Sequence, residues 1–243
     1  MSYFETRLKI KSNNNGEIER KLSIYEEIGV KNIFLEFIES DNLLNFKRIR
    51  DLNLNSKMKI YYRLTLLPKN IDNLRKKLKK YRNLDGIIAV ESNDKKIRAF
   101  AAKDSRVDLI SLSNIQMVKE LTYGLISLTK GNNSFIEFSL SPILKSNRFE
   151  QSKYLRALYK AIQKILKLKG NYIFCGNFDN IYDFRHPRAL ASVCHTLLGM
   201  SLNSAKKGFR ENVKLLLQRA RNRRDELYFE SGVRFIRKED DNG

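Results

Sequence analysis

Residues 86–112 read GIIAVESNDKKIRAFAAKDSRVDLISL and contain one complete unit of the predicted fold. The apolar runs at 86–91 and 107–112 predict two β-strands, and the amphipathic stretch at 93–103 predicts a helix between them. Neighbouring parallel strands need a crossover connection, which normally packs against the sheet as a helix. The segment therefore predicts a βαβ unit.

The same alternation continues on both sides of this unit. The other predicted strands are 3–10, 32–38, 58–66, 134–140 and 171–176, and the other predicted helices are 16–28, 41–54, 70–82, 114–129, 148–169, 187–199 and 204–223. About seven parallel strands favour closure into an α/β barrel of the TIM type. A doubly wound open sheet is the alternative, although the first strand-to-helix turn, at 13–16, has no G-x-G-x-x-G pattern.

Length and composition favour one domain. The chain has 243 residues, of which 42% are hydrophobic, and its three Pro and eleven Gly are scattered without forming a linker. A chain of this size buries a full hydrophobic core. We therefore predict a single barrel domain over 1–243, with a basic C-terminal helix and tail from about residue 203.

Charge is the strongest indication of a binding partner. The chain carries 47 Lys and Arg against 27 Asp and Glu, a formal net charge of +20. The excess is concentrated at 45–82 (13 basic, two acidic), 143–169 (eight and one) and 203–224 (eight and one). A single basic run is usually a solvated surface, but three runs of the same sign favour nucleic acid.

The C-terminal helix shows the same division between core and cations. At about 100° per residue, one arc carries Phe209, Val213, Leu216 and Ala220, and the neighbouring arc carries Lys206, Arg210, Lys214 and Arg221. We predict that the first arc is packed and that the second is a basic stripe.

Residues for metal-dependent or nucleophilic catalysis are scarce. His186 directly precedes a predicted helix that begins at Pro187, and His195 lies within that helix. If both sit on this helix, nine residues of separation place them about 180° apart, so they could not share a metal. Cys175 and Cys194 have no partner motif, so we predict buried reduced thiols and no zinc site. A Mg²⁺ site made of Glu91, Asp94 and Asp108 is an alternative, but we predict structural roles for these three carboxylates.

The predicted location is the cytosol. The N-terminal residues lack a basic segment followed by an apolar one, and no apolar run approaches the length of a membrane span. We therefore predict no association with a membrane.

Several ordered segments resemble the ribonuclease P protein component 3 family, the p30-type subunit of archaea and eukaryotes. They are VESND at 90–94 with RVDLIS at 106–111, EFSLSPILKSN at 137–147, RHPRALASVCHTLLGM at 185–200, and GVRF at 232–235. The resemblance covers roughly residues 1–236. It implies an irregular TIM barrel, related to the phosphoesterases of the PHP superfamily, without that superfamily's metal-binding histidines.

The resemblance also implies a function. Members of the family bind the ribonuclease P RNA together with a small RRM-like protein subunit and other ribonuclease P proteins. They help that RNA to remove the 5′ leader from precursor tRNA, and the chemistry belongs to Mg²⁺ held by the RNA. For this chain it implies no catalytic residue, no metal and no cofactor bound by the protein.

Basic positions of the family correspond to six residues here: Arg75, Arg98, Lys145, Arg185, Arg188 and Lys206. The family's usual acid after R-x-P-R is Ala189 in this chain, which leaves Arg188 without that neighbour. Arg185 and Arg188 flank Pro187 at a helix start, where guanidinium groups and free N–H groups both favour phosphate. Arg98 and Arg188 can equally be structural, capping a helix or pairing with Glu91 and Asp108.

Two functions outside this family remain open at this point. The first is a metal-dependent phosphoesterase of the related barrel superfamily, which would need a bound metal and turnover by the isolated chain. The second is an RNA-binding scaffold outside ribonuclease P, which differs only in its partner.

Overall fold

The computed structural model describes residues 2–10, 15–38, 56–145, 147–225, 228–230 and 233–234. Nine strands are present in this part of the chain: β1 (Glu5–Lys9), β2 (Asn32–Ile38), β3 (Lys59–Leu66), β4 (Ile87–Glu91), β5 (Leu109–Leu112), β6 (Phe135–Ser139), β7 (Tyr172–Cys175), β8 (Tyr228–Glu230) and β9 (Val233–Arg234). The first seven correspond to the seven predicted strands. The last two form a short antiparallel hairpin that the sequence did not predict.

Ten α-helices and one 3-10 helix connect or follow these strands in the same residues. They are α1 (Asn15–Glu27), α2 (Ile71–Lys80), α3 (Lys95–Lys103), α4 (Ile115–Lys119), α5 (Tyr123–Gly131), α6 (Ser141–Lys145), α7 (Arg148–Lys167), α8 (Pro187–Leu198), α9 (Leu202–Lys207), α10 (Glu211–Arg224) and a single 3-10 turn at Ile181–Asp183 that precedes α8. The helix predicted at 41–54 lies outside the described residues.

The seven strands form one parallel sheet in the order β1 to β7. The sheet curls into a nearly closed barrel, so the prediction of a single TIM-barrel-like domain with seven parallel strands is confirmed. Between the described residues of β7 and β1 there is no strand ladder. A seam therefore separates the first strand from the last.

The chain between α9 and α10 covers the amino-terminal part of this seam. The Phe4 N–H donates to the carbonyl of Phe209 (3.0 Å), and the Phe174 N–H donates to the carbonyl of Gly208 (3.2 Å). A Cβ at Gly208 would lie 2.5 Å from the Phe174 ring, so only glycine permits this approach. The Thr6 hydroxyl also reaches across the seam to the Phe174 carbonyl (3.4 Å).

Two hydrophobic clusters stabilise the barrel. The larger lies between the outer faces of the strands and the surrounding helices. The smaller fills the amino-terminal half of the barrel interior, where Val213, Leu216 and Ala220 of α10 pack on Phe4, Phe34, Ile87, Leu109, Phe135 and Ile173. Helix α10 therefore closes the amino-terminal end of the barrel, and the packed arc predicted for it is confirmed.

Two predicted helices are each divided in the structure. The prediction at 114–129 is interrupted after α4, because Thr122 accepts the Leu125 N–H and starts a second helix. The prediction at 204–223 is interrupted at 208–210, where the chain crosses the seam. Among the described helices, none has the length and apolar character needed to cross a membrane.

Candidate nucleic-acid interface

The carboxyl-terminal half of the barrel interior is filled by charged residues that are paired with one another. Arg63 is 1% exposed and donates from Nη1 and Nη2 to the two carboxylate oxygens of Glu137, at 2.5 and 2.7 Å. Ser111 donates to Glu137 at 2.6 Å, and the Arg63 Nε donates to Thr65 at 3.1 Å. Burial alone would raise the pKa of Glu137, but the Arg63 charge lowers it to about 2.

Arg7 completes the network from the first strand. Its Nε donates to Glu36 (2.9 Å), its Nη1 to Ser111 (2.9 Å) and its Nη2 to Glu91 (2.7 Å). Burial opposes ionisation of Glu36, yet the nearby Arg7 and Arg63 charges hold its pKa below the ordinary value. The interior is therefore occupied by two arginines that cross-link carboxylates from three other strands.

Glu5 belongs to the same region but differs in protonation. Its carboxylate lies at the seam and accepts the N–H groups of Gly176 and Arg7, each at 3.1 Å. Burial raises the pKa of Glu5 to about 8, which outweighs those two hydrogen bonds. At neutral pH this group therefore carries its proton for much of the time, and it closes the seam as a neutral hydrogen-bonding group.

The three carboxylates considered for a Mg²⁺ site do not come together. Glu91 binds Arg7 and Ser113, and Asp94 caps α3 by accepting the Lys96 N–H. Asp108 precedes β5 at the opposite end of the barrel and pairs with Arg219 and Arg223. Within the described ranges, no group of three or more His, Cys, Asp or Glu residues is arranged to hold a metal ion. The alternative that this cluster forms one site is wrong.

Both histidines have structural partners. His186 is the N-cap of α8, and its Nδ1 accepts the Arg188 N–H at 2.9 Å. Its ring also packs edge-on against Tyr3, at 5.6 Å between centroids. His195 Nδ1 lies 2.7 Å from the Met200 carbonyl oxygen, near the end of the same helix. The two cysteines are buried free thiols.

Three of the six predicted RNA-binding residues lie near the amino-terminal end of the barrel. Arg185 and Arg188 are exposed at the start of α8, which sits beside Tyr3 just before β1. Lys206 is half-buried in α9, whose Ser204 carbonyl accepts the Tyr172 hydroxyl at the start of β7. Arg185 differs from Arg188 because its Nη1 donates to the carbonyls of Tyr182 and Phe184, both at 2.8 Å.

Arg98 occupies a position that favours the structural alternative. It is 1% exposed, and its guanidinium donates to the Ser92 carbonyl and to Glu120, both at 2.7 Å. These bonds hold α3 against the β4 end and the turn after α4. In this conformation the Arg98 side chain is not available to a phosphate. Its partner is Glu120 and not the Glu91 or Asp108 that we considered from the sequence.

The other two predicted residues are dispersed. Arg75 is exposed on α2, where it pairs with Asp72 at 3.3 Å and lies over the Phe100 ring at 5.0 Å. Lys145 is the last residue of α6, and its side chain falls outside the described residues. The structure therefore does not bring the six predicted residues into one patch.

The interior network was missed at the level of sequence, although a signal for it exists. Three barrel strands each carry a charged residue within a mostly apolar run: Glu36 in β2, Arg63 in β3 and Glu137 in β6. Each of these side chains points to the same face of its strand as the residues two positions away. A charge at such a position implies either exposure or a buried partner. The partner itself could not be identified, because it comes from a distant strand.

Comparison with known protein families gives one match over most of the chain. The model of the family described as RNase P subunit p30 matches residues 3–225. Ribonuclease P protein component 3 of Methanococcus maripaludis is 27% identical over 144 residues, which are 59% of this chain and 62% of that protein. The protein of the same name from Methanocaldococcus jannaschii is 21% identical over 187 residues, 76% of this chain and 81% of its own length. The chain thus spans less than two thirds of the M. maripaludis relative.

Solved structures support the fold. A chain in the cryo-EM structure of archaeal ribonuclease P with mature tRNA has a TM-score of 0.78 at 21% identity, covering 97% of this chain and 99% of that one. A putative prolidase from Bifidobacterium longum has a TM-score of 0.64 at 8% identity, covering 90% and 70%. At these identities the likeness establishes a shared barrel architecture and nothing about chemistry.

Proposed function

Since the chain belongs to the RNase P subunit p30 family, we propose that it is a protein subunit of ribonuclease P that assists removal of the 5′ leader from precursor tRNA. The extent of the family match, residues 3–225 of 243, carries the proposal. The curated relatives bear the name ribonuclease P protein component 3, and a chain of nearly equal length occurs in an archaeal ribonuclease P.

The proposed role is accessory and not catalytic. In metal-dependent enzymes with this architecture, catalytic groups gather at the carboxyl-terminal ends of the strands. Here that region holds Arg7, Arg63 and the carboxylates bound to them, so no described carboxylate of the network is free to act as a base or ligand. The charged residues of the interior therefore stabilise the barrel and do not form a catalytic site. The Mg²⁺ chemistry is assigned to the RNA.

The proposed partners are the ribonuclease P RNA, precursor tRNA, a small RRM-like protein subunit and other ribonuclease P proteins. The net charge of +20 supports the RNA partner, because a surface of that potential attracts a polyanion over distances beyond direct contact. Most basic side chains on α2 and α10 are exposed or half-buried. They are thus positioned to meet phosphates.

The test is affinity purification of the tagged full-length chain from its native cells, followed by sequencing of the RNA that co-purifies. We expect enrichment of one structured RNA that cleaves precursor tRNA in the presence of Mg²⁺. After removal of the RNA by nuclease, the remaining protein should show no cleavage activity.

Two results would contradict the proposal. Precursor tRNA cleavage by the protein freed of RNA would assign the chemistry to this chain. Enrichment of a different RNA, without any tRNA processing activity in the purified material, would instead support an RNA-binding scaffold outside ribonuclease P.

A further inference from the structure

A groove of about 890 Å³ opens at the amino-terminal end of the barrel. It lies between α10 and the loops that precede β5, β6 and β7, on the side of the molecule opposite to the charged interior network. Its basic lining residues are Lys79, Arg82, Arg106, Arg219 and Arg223, and Asp225 is the one acid among the lining residues. Its volume is that of pockets that hold whole ligands, about 300–1,000 Å³.

The floor of the groove is formed by two arginine side chains that are held by main-chain carbonyls. Arg219 donates to the carbonyls of Asn132 (2.5 Å) and Val107 (3.0 Å), and Arg223 donates to the Gly86 carbonyl (2.7 Å). Both guanidinium groups also pair with the buried carboxylate of Asp108. These contacts hold the two guanidinium groups in place at the floor of the groove.

The rim supplies cations that project into solvent. Lys79 lies at the end of α2 and Arg82 two residues beyond it. Both are exposed, and neither has an ion-pair partner within the part of the chain that the structure describes. The rim also carries side-chain amides: Asn132, Asn133, Asn171, Gln218 and Asn222. Lysine, arginine and amide side chains are the groups that most often bind phosphate and sugar oxygens of nucleic acids.

The cationic surface extends beyond the groove along α10. A second cavity of about 260 Å³ on the other side of this helix is lined by Arg221 and by Arg224, which pairs with Asp85. Fourteen helical residues span about 21 Å, which exceeds the size of a small anion. No exposed aromatic ring lines the large groove, so it lacks the stacking platforms that single-stranded RNA sites use.

We propose that the amino-terminal groove binds the phosphate backbone of double-helical RNA. The inference rests on the proposed function, and it places the RNA at the end of the barrel opposite to the usual active site of this fold. The exposed Arg188 at the start of α8 lies at the same end, so the RNA surface extends from the groove toward β1.

The test uses the full-length chain, a labelled RNA hairpin as the probe, and two matched double variants. Lys79→Ala with Arg82→Ala removes two exposed charges at the groove. Lys160→Ala with Lys167→Ala removes two exposed charges from α7, outside the groove. The dissociation constant of each protein is measured across a series of salt concentrations, and thermal melting verifies that each variant is folded.

We expect the groove variant to bind the hairpin at least about tenfold more weakly at low salt. The slope of log K against log salt should fall by about 1.8, because each phosphate contact contributes about 0.9. The α7 variant should keep the wild-type slope. The proposal is overturned if the groove variant keeps the wild-type slope, or if both variants lose it equally.

The behaviour of the wild-type protein also tests the proposed function. If the wild-type protein fails to bind the hairpin, or binds it with no dependence on salt, both the groove assignment and the RNA-binding role fall together. If the wild type binds and only the α7 variant is impaired, the groove assignment fails and the RNA-binding role stands.

Discussion

At the residue scale, Arg63 shows how the barrel interior tolerates buried charge. Its guanidinium is held by both oxygens of Glu137 and lies 3.6 Å from Glu36. Replacing Arg63 by Met leaves Glu137 buried without its main counter-charge. We expect Arg63→Met to lower the free energy of unfolding by about 3–5 kcal/mol, measured by urea denaturation.

The matched control removes both charges. Arg63→Met combined with Glu137→Leu replaces the pair by apolar groups, which is often nearly neutral for stability. The double variant should therefore be more stable than the single one. A single variant within about 1 kcal/mol of the wild type would mean that water or a rearrangement compensates Glu137.

Glu5 makes the stability of the seam depend on pH. Its folded pKa is about 8, against 4.5 for an ordinary glutamate, so the native state retains a proton that the unfolded chain releases. Its contribution to stability is complete below the ordinary pKa and is lost as the pH rises through the folded pKa.

The variant Glu5→Gln remains neutral and can still accept the Gly176 N–H. The stability of the wild type relative to this variant should decline by up to about 1.4 kcal/mol per pH unit between about pH 5.5 and 7.5. Denaturant unfolding at several pH values measures both proteins. Parallel pH profiles would show that Glu5 is ionised in the folded protein.

Alanine substitutions at Arg185 and Arg188 distinguish a structural role from a binding role at two neighbouring positions. The Arg188 side chain is exposed, so Arg188→Ala should change stability by about 0.5 kcal/mol or less. Under the proposed function it should weaken binding of the ribonuclease P RNA by roughly tenfold, the effect of losing one charge-assisted contact. Arg185→Ala also removes two bonds to carbonyls, so it should lower the melting temperature more.

The two measurements are thermal melting and RNA binding on the same preparations. If Arg188→Ala unfolds the protein while the residual folded fraction binds RNA normally, then Arg188 is structural and the assignment made from the sequence is wrong.

At the scale of elements, the strands were predictable because burial on both faces leaves a continuous apolar run. All seven barrel strands lie within one or two residues of the prediction, and β2 coincides with it. The interruptions of the helices were harder to predict from the sequence. The break at 208–210 follows from the seam, since Gly208 must lie against the Phe174 ring, and nothing in the local sequence identifies the distant partner.

The close approach of Gly208 to the Phe174 ring leads to a prediction for the connection between α9 and α10. Gly208 has an ordinary helical backbone, with φ −62, so alanine there is strained only by its Cβ, against the Phe174 ring and, less closely, the Tyr172 ring. We expect Gly208→Ala to cost about 1–3 kcal/mol of stability through overpacking. The control is Gly131→Ala at the end of α5, where an added Cβ meets nothing within 4 Å.

Gly131→Ala should be neutral or stabilise the protein by up to about 1 kcal/mol, because alanine restricts the unfolded chain. Urea denaturation of the two variants in parallel makes the comparison. Equal stability of both variants would mean that α10 shifts easily, and the seam would then not depend on Gly208.

The candidate site was less predictable than the fold. The sequence identifies which residues are cationic but not which cations are already bound, and Arg98 is the clearest case, with its carboxylate partner 22 residues away. The groove is a second case, because α10 meets loops that lie about 90 to 140 residues earlier in the chain. Such contacts depend on barrel closure, which local patterns do not contain.

At the scale of the whole molecule, the net charge of +20 acts in two opposite ways. Like charges repel one another in the compact state, which destabilises the free protein. Under the proposed function the same charges attract RNA, and a ligand that binds the folded state stabilises it. Added salt screens both effects, so it should change the stability of the free and the RNA-bound protein in opposite directions.

Thermal melting with and without a saturating RNA hairpin measures the balance. Without RNA, we expect the melting temperature to rise between about 0.05 M and 0.5 M NaCl, because screening reduces repulsion. With RNA at about 100 times its dissociation constant, the gain at low salt should be about 2.7 kcal/mol. For a chain of this length that gain corresponds to roughly 5–10 °C, and it should disappear at high salt as the RNA dissociates. An RNA-induced shift that persists at high salt would show that binding depends on contacts other than phosphate pairing, and the excess charge would then serve another purpose.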